Sequence, residues 1–315
     1  MISDMKNKIL NIKNISRLLL TIVVSLFFIT YALKDFDYSM FIKSINNANY
    51  FYIYLSIVIL LITIQLRAIR WHFLFNENIK VNSLYQAQLI GYMCNNLLPL
   101  RFGEFFKSYY LEKKLKISKF KVFGTVVLER FLDLIGMILL VLIIMNTSAF
   151  NKLSSYYFKF ILFIFFVSLL GIIFSIYIKN PKKIKSSNRI IVNILDVING
   201  FSSLAYNNVL YVFIMTLLIW INYIIVVYLV QYAFSFNLDI YQSILLLLLP
   251  SLALSIPSLP GNIGTFEGAV VYTLSLYGIK DTIGFGFILH SISFIPYTLL
   301  GLIYFVKERK IIFNE

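Results

Sequence analysis

Long uncharged apolar segments recur along this chain, and they constrain its fold more than any other feature. The run from Leu18 to Leu33 holds no charged residue, and comparable runs follow almost to the end of the sequence. A transmembrane helix needs about 17–25 such residues to span a bilayer. Charged residues make up only 13% of the chain, against about 25% in a typical soluble domain. The sequence therefore predicts an integral membrane protein and excludes soluble, secreted and disordered classes.

Six of the apolar segments are predicted to cross the membrane as single helices. Each lies close to the length that a bilayer requires. The first is predicted to stay uncleaved, because no small-residue cleavage site follows it. The predicted crossings are about Leu18–Leu33, Tyr50–Leu66, Val122–Met145, Phe160–Ile178, Val209–Val230 and Thr282–Val306.

Two further apolar stretches are interrupted by proline, which removes a backbone donor and ends or kinks a helix. They are Val81–Leu100, with Pro99, and Ile240–Phe266, with Pro250, Pro257 and Pro260. The legs Ile240–Ile256 and Thr265–Gly278 would be about 25 and 21 Å long as helices, which is shorter than the roughly 30 Å hydrocarbon core. Broken backbone at this depth is tolerated where it lines a cavity. Both stretches are predicted to be re-entrant hairpins, with two short full crossings as the alternative.

Residues 1–315 are predicted to form a single membrane domain with two halves, 1–151 and 152–315. Both halves have the same order of segments: crossing, crossing, broken stretch, crossing. Leu98–Glu104 and Leu259–Glu267 also share Leu-Pro, three residues, Gly and then a glutamate. Three crossings per half invert one half relative to the other, as in many transporters. The predicted fold is an all-α polytopic integral membrane protein, an inverted repeat with six crossings and two hairpins, or eight short spans.

The basic residues predict the orientation. The net charge is +14, and cytoplasmic loops of membrane proteins collect Lys and Arg. If the N-terminus is cytoplasmic, most of the Lys and Arg residues fall on the cytoplasmic side. The sequence therefore predicts a multi-pass protein of the cytoplasmic membrane with both termini in the cytoplasm. Anionic inner-leaflet lipids are a second partner for this charge, and nucleic acid is not needed. The basic residues left outside are Lys34, Lys43, Lys152, Lys159 and Lys280.

The breaks are predicted to form an anion site. Helices that begin near the midplane present unpaired N–H groups and a positive dipole end, which suit phosphate. Glu104 and Glu267 fall in the first turns of these helices, where a carboxylate either caps the helix or faces a partner or a wet cavity. The predicted substrate-binding residues are Asn95, Asn96, Arg101, Gly103, Glu104, Pro260, Gly261, Gly264 and Glu267.

A second set of ionisable residues lies inside predicted crossings. Glu129 and Asp133 share a helix face, with Arg130 beside them, and His290 lies at a similar depth in the last crossing. These four are predicted to gate transport or couple it to protons. The alternatives are an ion network that only locks helices together and a histidine that is only packed. Arg67, Arg70 and Trp71 are predicted to be interface anchors.

Four motifs resemble the membrane domain of lysylphosphatidylglycerol synthases/flippases. Asn95–Glu104 is similar to its NNLLP-x-R-x-GE signature, and Val127–Asp133 is similar to vlERxxD. Pro257–Gly268 resembles P-x-PGg-iG-x-x-E, with Asn262 where the family usually has glycine, and Leu66–Trp71 matches LRalRW. The resemblance implies a lipid-handling domain. Because the chain ends at Glu315, the family's soluble lysyl-transferase domain and its enzyme activity are not expected.

The sequence thus favours a flippase-like transporter that moves or binds a lipid with an anionic headgroup, either an anionic phospholipid or a polyprenyl-phosphate lipid. The alternative is a non-transporting subunit that presents a lipid to a separate cell-envelope enzyme. A homo-oligomer is left open. No metal is expected, because Cys94 is the single cysteine and His72 and His290 lie far apart. No catalytic residue or cofactor is expected either, and the sequence has no Ser/His/Asp pairing or HExxH motif that would support an intramembrane enzyme.

Overall fold

A computed structural model describes residues 37–75, 77–98, 102–151, 188–254, 259–280 and 282–313, and isolated positions at 30, 33, 166, 167, 170, 171 and 173. In these residues, every regular element is helical. Two 3₁₀ turns lie at Tyr206–Asn208 and Pro260–Asn262. The α-helices are α1 (Tyr38–Asn46), α2 (Tyr50–His72), α3 (Val81–Leu97), α4 (Gly103–Leu115), α5 (Lys119–Ile144), α6 (Ser148–Asn151), α7 (Arg189–Phe201), α8 (Val209–Ala233), α9 (Ile240–Ala253), α10 (Thr265–Ser275), α11 (Ile283–Lys307) and α12 (Arg309–Phe313).

Three helical segments of the described chain are long and apolar enough to cross a membrane. They are α2, α8 with the 3₁₀ turn before it, and α11, and they coincide with predicted crossings. Helix α5, a fourth predicted crossing, has 26 residues but carries Glu129, Arg130 and Asp133 along its length. The remaining predicted crossings, Leu18–Leu33 and Phe160–Ile178, lie almost entirely outside the described residues.

The long helices expose large apolar side chains that a soluble protein would bury. Val58 and Ile62 on α2, Leu210 and Ile221 on α8 and Leu302 on α11 are all exposed. Apolar surface of this extent marks a face that contacts a membrane. The all-helical, membrane-embedded fold class predicted from the sequence is therefore confirmed.

Polar residues start the helices where loops meet apolar segments. The side chains of Asp37, Asn49, Asn188 and Asp239 accept hydrogen bonds from the first backbone N–H groups of α1, α2, α7 and α9. Such caps satisfy donors that have no partner within the helix. The C-terminal ends of the helices were harder to predict. Helix α2, for example, continues to His72, six residues beyond the predicted end at Leu66.

The break in each predicted stretch is flanked by two short helices that pack against each other. Helices α3 and α4 are separated by a segment whose residues 99–101 lie outside the described part. Helices α9 and α10 are separated by residues that include the Pro260–Asn262 turn. With 14 and 11 residues, α9 and α10 are about 21 and 16 Å long, shorter than the membrane core.

Pro250 was predicted to interrupt the second stretch, and this is wrong. The residue lies inside α9, which continues to Ala253. Proline removes only one helical hydrogen bond, and here the loss falls in the last turn. The break comes after Ala253 instead.

Contacts between the helices follow a recurring scheme. Helix α2 packs against α8, α3 against α11, and α5 against α9. The short helices α1 and α7 pack against α11 and α5, respectively. One apolar core runs along α2, α8, α9 and α11, and a second surrounds Trp71 between α2, α3, α4 and α5. Polar and charged side chains lie in and beside this second core.

Candidate functional site

A network of charged side chains is buried where α2, α3, α4 and α5 meet. Burying a charge is costly unless it is paired and hydrogen-bonded, so this arrangement needs close partners. The side chains of Arg70 and Glu129 are fully buried, and that of Lys107 is almost so. The network consists of the cations Arg67, Arg70, Lys107 and Arg130 and the carboxylates Glu104, Glu129 and Asp133.

Asp133 binds three guanidinium groups. Its Oδ2 lies 2.8 Å from Nη2 of Arg67 and 3.2 Å from Nη1 of Arg130, and its Oδ1 lies 2.7 Å from Nη2 of Arg70. Arg67 and Arg70 are three residues apart and therefore share one face of α2. Helix α8 adds neutral acceptors, because Arg70 donates to Thr216 Oγ1 at 3.3 Å and Arg67 donates to the Tyr223 hydroxyl at 3.4 Å.

Lys107 links the two other carboxylates. Its Nζ lies 3.0 Å from Oε2 of Glu129 and 3.1 Å from Oε2 of Glu104. Gln88 Nε2 donates to the second oxygen of Glu129 at 3.0 Å. The Lys107 ammonium also lies over the ring of Trp71, 4.7 Å from its centre, in a cation–π contact. These contacts satisfy a lysine that would otherwise be an isolated charge in an apolar core.

Arg130 lies at the open side of the network. Its side chain is 36% exposed, the largest value in the network, and its Nη2 binds Oε1 of Glu104 at 2.7 Å. A narrow cleft leads to this ion pair. The cleft is lined by Gln88, Gly91, Tyr92, Asn95, Gly103, Glu104, Lys107 and Arg130.

The two asparagines predicted to bind substrate hold helices in place. Asn95 Oδ1 accepts a hydrogen bond from the backbone N–H of Gly103 at 2.8 Å and so caps the start of α4. Asn96 Nδ2 donates to Thr298 Oγ1 at 2.8 Å and to the carbonyl oxygen of Phe294 at 3.2 Å, both on α11. The first broken stretch is therefore tied directly to the last long helix.

The second break has a tight backbone with its own ionisable pair. Gly261 and Gly264 have φ values of 70° and 88°, in the region that favours glycine. The N–H of Gly264 donates to Oε2 of Glu267 at 2.7 Å, and the other Glu267 oxygen lies 2.6 Å from Nδ1 of His290. The sequence left a cap and a residue that faces a partner or a wet cavity as alternatives for Glu267; one of its oxygens contacts the helix start and the other contacts His290.

The predicted site residues fall into two groups. Pro260, Gly261, Gly264, Glu267 and His290 gather at the second break, and Asn96 reaches this region through α11. Arg101, which was predicted to contact the anion, lies outside the described residues. The second group of predicted site residues lies at the first break and consists of Asn95, Gly103, Glu104, Glu129, Arg130 and Asp133.

The prediction that Arg67, Arg70 and Trp71 are interface anchors is wrong. All three are buried, because Asp133 ion-pairs with both arginines inside the core and Trp71 donates to Thr125 Oγ1 at 2.9 Å. Sequence reasoning also missed Lys107. Its spacing of three residues from Glu104 places both on one face of α4, and this was the available signal.

Comparison with known proteins is informative at the level of family. The family model described as lysylphosphatidylglycerol synthase TM region matches residues 18–301. A UPF0104 membrane protein of Methanocaldococcus jannaschii is 28% identical over 227 residues, which cover 69% of this chain and 95% of the relative. A UPF0104 membrane protein of Methanothermobacter thermautotrophicus is 25% identical over 269 residues, covering 76% and 80%, respectively. A second M. jannaschii relative is 29% identical over 126 residues, covering 38% and 37%. No solved structure matches.

Proposed function

Because the chain belongs to the lysylphosphatidylglycerol synthase transmembrane-region family, we propose that this multi-pass membrane protein is flippase-like. In this proposal it binds a lipid with an anionic, phosphate-containing headgroup and moves it across the cytoplasmic membrane. The observation that carries the proposal is the charge of the buried network. Among the described residues, four cations meet three carboxylates there, and the most exposed cation is Arg130.

An anion would complete this network. An uncompensated positive charge in a low-dielectric core is unfavourable, and phosphate both neutralises it and accepts charge-assisted, bidentate hydrogen bonds from arginine. In the proposed complex the phosphate contacts Arg130 from the cleft. The sequence predicts a second contact from Arg101, which lies outside the described residues. Glu129 and Asp133 keep the buried cations in place.

Glu104 gives the site a gate in this proposal. Its carboxylate already binds Nη2 of the Arg130 guanidinium, at 2.7 Å. A phosphate that approaches Arg130 must displace this carboxylate, which Lys107 can still hold at 3.1 Å. Substrate entry would thus turn the Glu104 side chain, in the first turn of α4, toward Lys107.

The helix contacts support the inverted repeat. If α2, α3, α4 and α5 correspond to α8, α9, α10 and α11, a contact in one half has a counterpart in the other. The packing of α3 on α11 recurs as α9 on α5, and that of α1 on α11 recurs as α7 on α5. The pair α2 and α8 then lies on the symmetry axis. The α3–α4 and α9–α10 pairs are the proposed re-entrant hairpins, and the lipid headgroup passes between them.

Translocation distinguishes this function from that of a subunit which only presents lipid. Purified protein in phosphatidylcholine vesicles is given a trace of fluorescent phosphatidylglycerol, and the label in the outer leaflet is quenched chemically. A flippase exposes the inner-leaflet label to the quencher over time and moves fluorescent phosphatidylcholine much more slowly. A presenting subunit binds phosphatidylglycerol but leaves the inner pool protected.

Arg130→Gln is expected to weaken phosphatidylglycerol binding by about tenfold or more, since a hydrogen bond to a charged group contributes about 1.5–3 kcal/mol. Binding is measured by native mass spectrometry in lipid titrations. The matched control is Lys119→Gln, which removes an exposed positive charge from the same helix and should leave binding unchanged. Equal binding by both variants would remove Arg130 from the site.

The orientation of the protein in the membrane can be tested by cysteine labelling in a Cys94→Ala background. Exposed positions Asn47 and Ser148, changed singly to Cys, should react with an impermeant maleimide in intact cells. Lys119→Cys should react only after permeabilisation. Reaction of Lys119→Cys in intact cells would contradict the cytoplasmic placement of the α4–α5 connection and, with it, the inverted repeat.

A further inference from the structure

Glu267 and His290 form an ionisable pair inside the membrane domain. Their side chains are only 15% and 12% exposed, with 2.6 Å between Oε1 and Nδ1. The sequence has no Lys or Arg between Arg189 and Lys280, so α9 and α10 bring no permanent positive charge to this carboxylate. Among the described residues, His290 is the group that pairs with this carboxylate, and it is a cation only when the imidazole is protonated.

The contact itself contains a proton. A carboxylate only accepts hydrogen bonds, so at this distance either Nδ1 carries a hydrogen or the carboxyl does. With Nδ1 protonated and the carboxylate ionised, Nε2 is the atom at which the pair gains or loses its second proton. The pair is neutral when Nε2 is protonated and carries one negative charge when it is not.

We propose that Glu267 and His290 together form a proton-binding site that drives the movement of the second hairpin. The coupling of this movement to lipid rests on the function proposed above, whereas the proton site rests on the pair's own geometry. A net negative charge is disfavoured while the pair is shielded from water. The closed state therefore favours proton uptake, and opening to water favours release.

A change in protonation of the pair would affect the second break, because Glu267 and His290 both contact residues at or next to it. Glu267 holds the N–H of Gly264 with its other oxygen at 2.7 Å. The imidazole lies 4.8 Å from the Phe266 ring and meets the Phe294 ring edge-on at 5.6 Å. Phe294 in turn packs against Gly261, where an added Cβ would come within 2.5 Å of its ring.

The same contacts lead to the first hairpin. The carbonyl oxygen of Phe294 accepts a hydrogen bond from Asn96 on α3.

The neighbouring helices α1, α2, α3, α8 and α9 also carry titratable groups. Among these groups are Lys43, Arg67, Tyr92, Tyr223 and Asp239. In the described part of the chain none of these five hydrogen-bonds or ion-pairs with Glu267 or His290.

The proton site is tested without lipid transport. The chain has two histidines, so His72→Gln leaves His290 as the only imidazole for ¹⁵N NMR titration in nanodiscs. Adding Glu267→Gln removes the charge but keeps an acceptor for the Gly264 N–H. We expect the His290 ring nitrogens to respond differently to pH in the two variants, because only one of them keeps a carboxylate against Nδ1. An unchanged titration would overturn the proton site.

Coupling is tested in the vesicle assay, with translocation measured from pH 5 to 8. Glu267→Gln and His290→Gln are expected to lose at least about tenfold in rate and to lose the pH dependence, while thermal stability and phosphatidylglycerol binding are retained. His72→Gln is the control and should match the parent. Retained pH dependence in His290→Gln would overturn the coupling. A parent protein that titrates as expected but moves no lipid would instead overturn the proposed function and leave the proton site standing.

Discussion

Asp133→Asn is expected to destabilise the protein by about 3–5 kcal/mol, the range for removing one partner of a buried ion pair. The carboxylate binds Arg67, Arg70 and Arg130 at 2.8, 2.7 and 3.2 Å, and asparagine leaves these guanidinium groups without a shared negative charge. The measurement is thermal or chemical unfolding of purified protein in nanodiscs. Asp196→Asn is the control, because Asp196 on α7 accepts one hydrogen bond from Ser118 and should cost about 1 kcal/mol.

A double variant separates the loss of charge from the loss of shape. Adding Arg130→Gln to Asp133→Asn restores the original charge difference of the network, so part of the lost stability should return. If the double variant is as unstable as the sum of the two single variants, the carboxylate acts through packing and the electrostatic account of the network is wrong.

Gly103→Ala is expected to cost about 3 kcal/mol or more, at the upper end for overpacking. A Cβ at this position would overlap the carbonyl oxygen of Gly91 and come within 2.6 Å of Asn95 Oδ1, so the α3–α4 hairpin would have to open. Gly91→Ala makes the same chemical change on the facing helix. There the added Cβ lies 3.2 Å from the carbonyl oxygen of Gly103, which a small shift relieves.

The comparison between these two alanine variants is made by unfolding in nanodiscs and by phosphatidylglycerol binding. Gly91→Ala should change stability by less than about 1 kcal/mol, since alanine also favours the helix interior. Gly103→Ala should lose lipid binding together with stability. Similar stability losses for both variants would mean that the two helices do not approach as closely at position 103 as described.

The starts of the long helices were predictable because apolarity is a local property. Predicted crossings at Tyr50 and Val209 begin at the first residues of α2 and α8, and the prediction at Thr282 is one residue before α11. The end of α2 was missed for an equally clear reason. Two arginines beside a tryptophan resemble an interface anchor, and only a carboxylate 63 and 66 residues away makes their burial favourable.

The candidate site was predictable as residues but not as contacts. Glycine, proline and glutamate spacing singled out both breaks, since backbone chemistry at a break depends on the residues beside it. Nothing in the sequence indicated that Glu104 binds Arg130 rather than only capping α4, or that Glu267 binds His290. These pairs form because α4 packs on α5 and α10 packs on α11, and helix packing is not a local pattern.

The distance along the chain between the arginines of α2 and Asp133 also bears on how this protein is made. At about 5–20 residues per second, roughly 3–13 s of synthesis separate Arg67 and Arg70 from their shared carboxylate. During that interval both lie near the end of α2, from which long basic side chains can reach the lipid headgroups. The final turns of α2 therefore settle into the core only when α5 arrives. A nascent chain that lacks Asp133 would leave both arginines without the carboxylate that pairs with them.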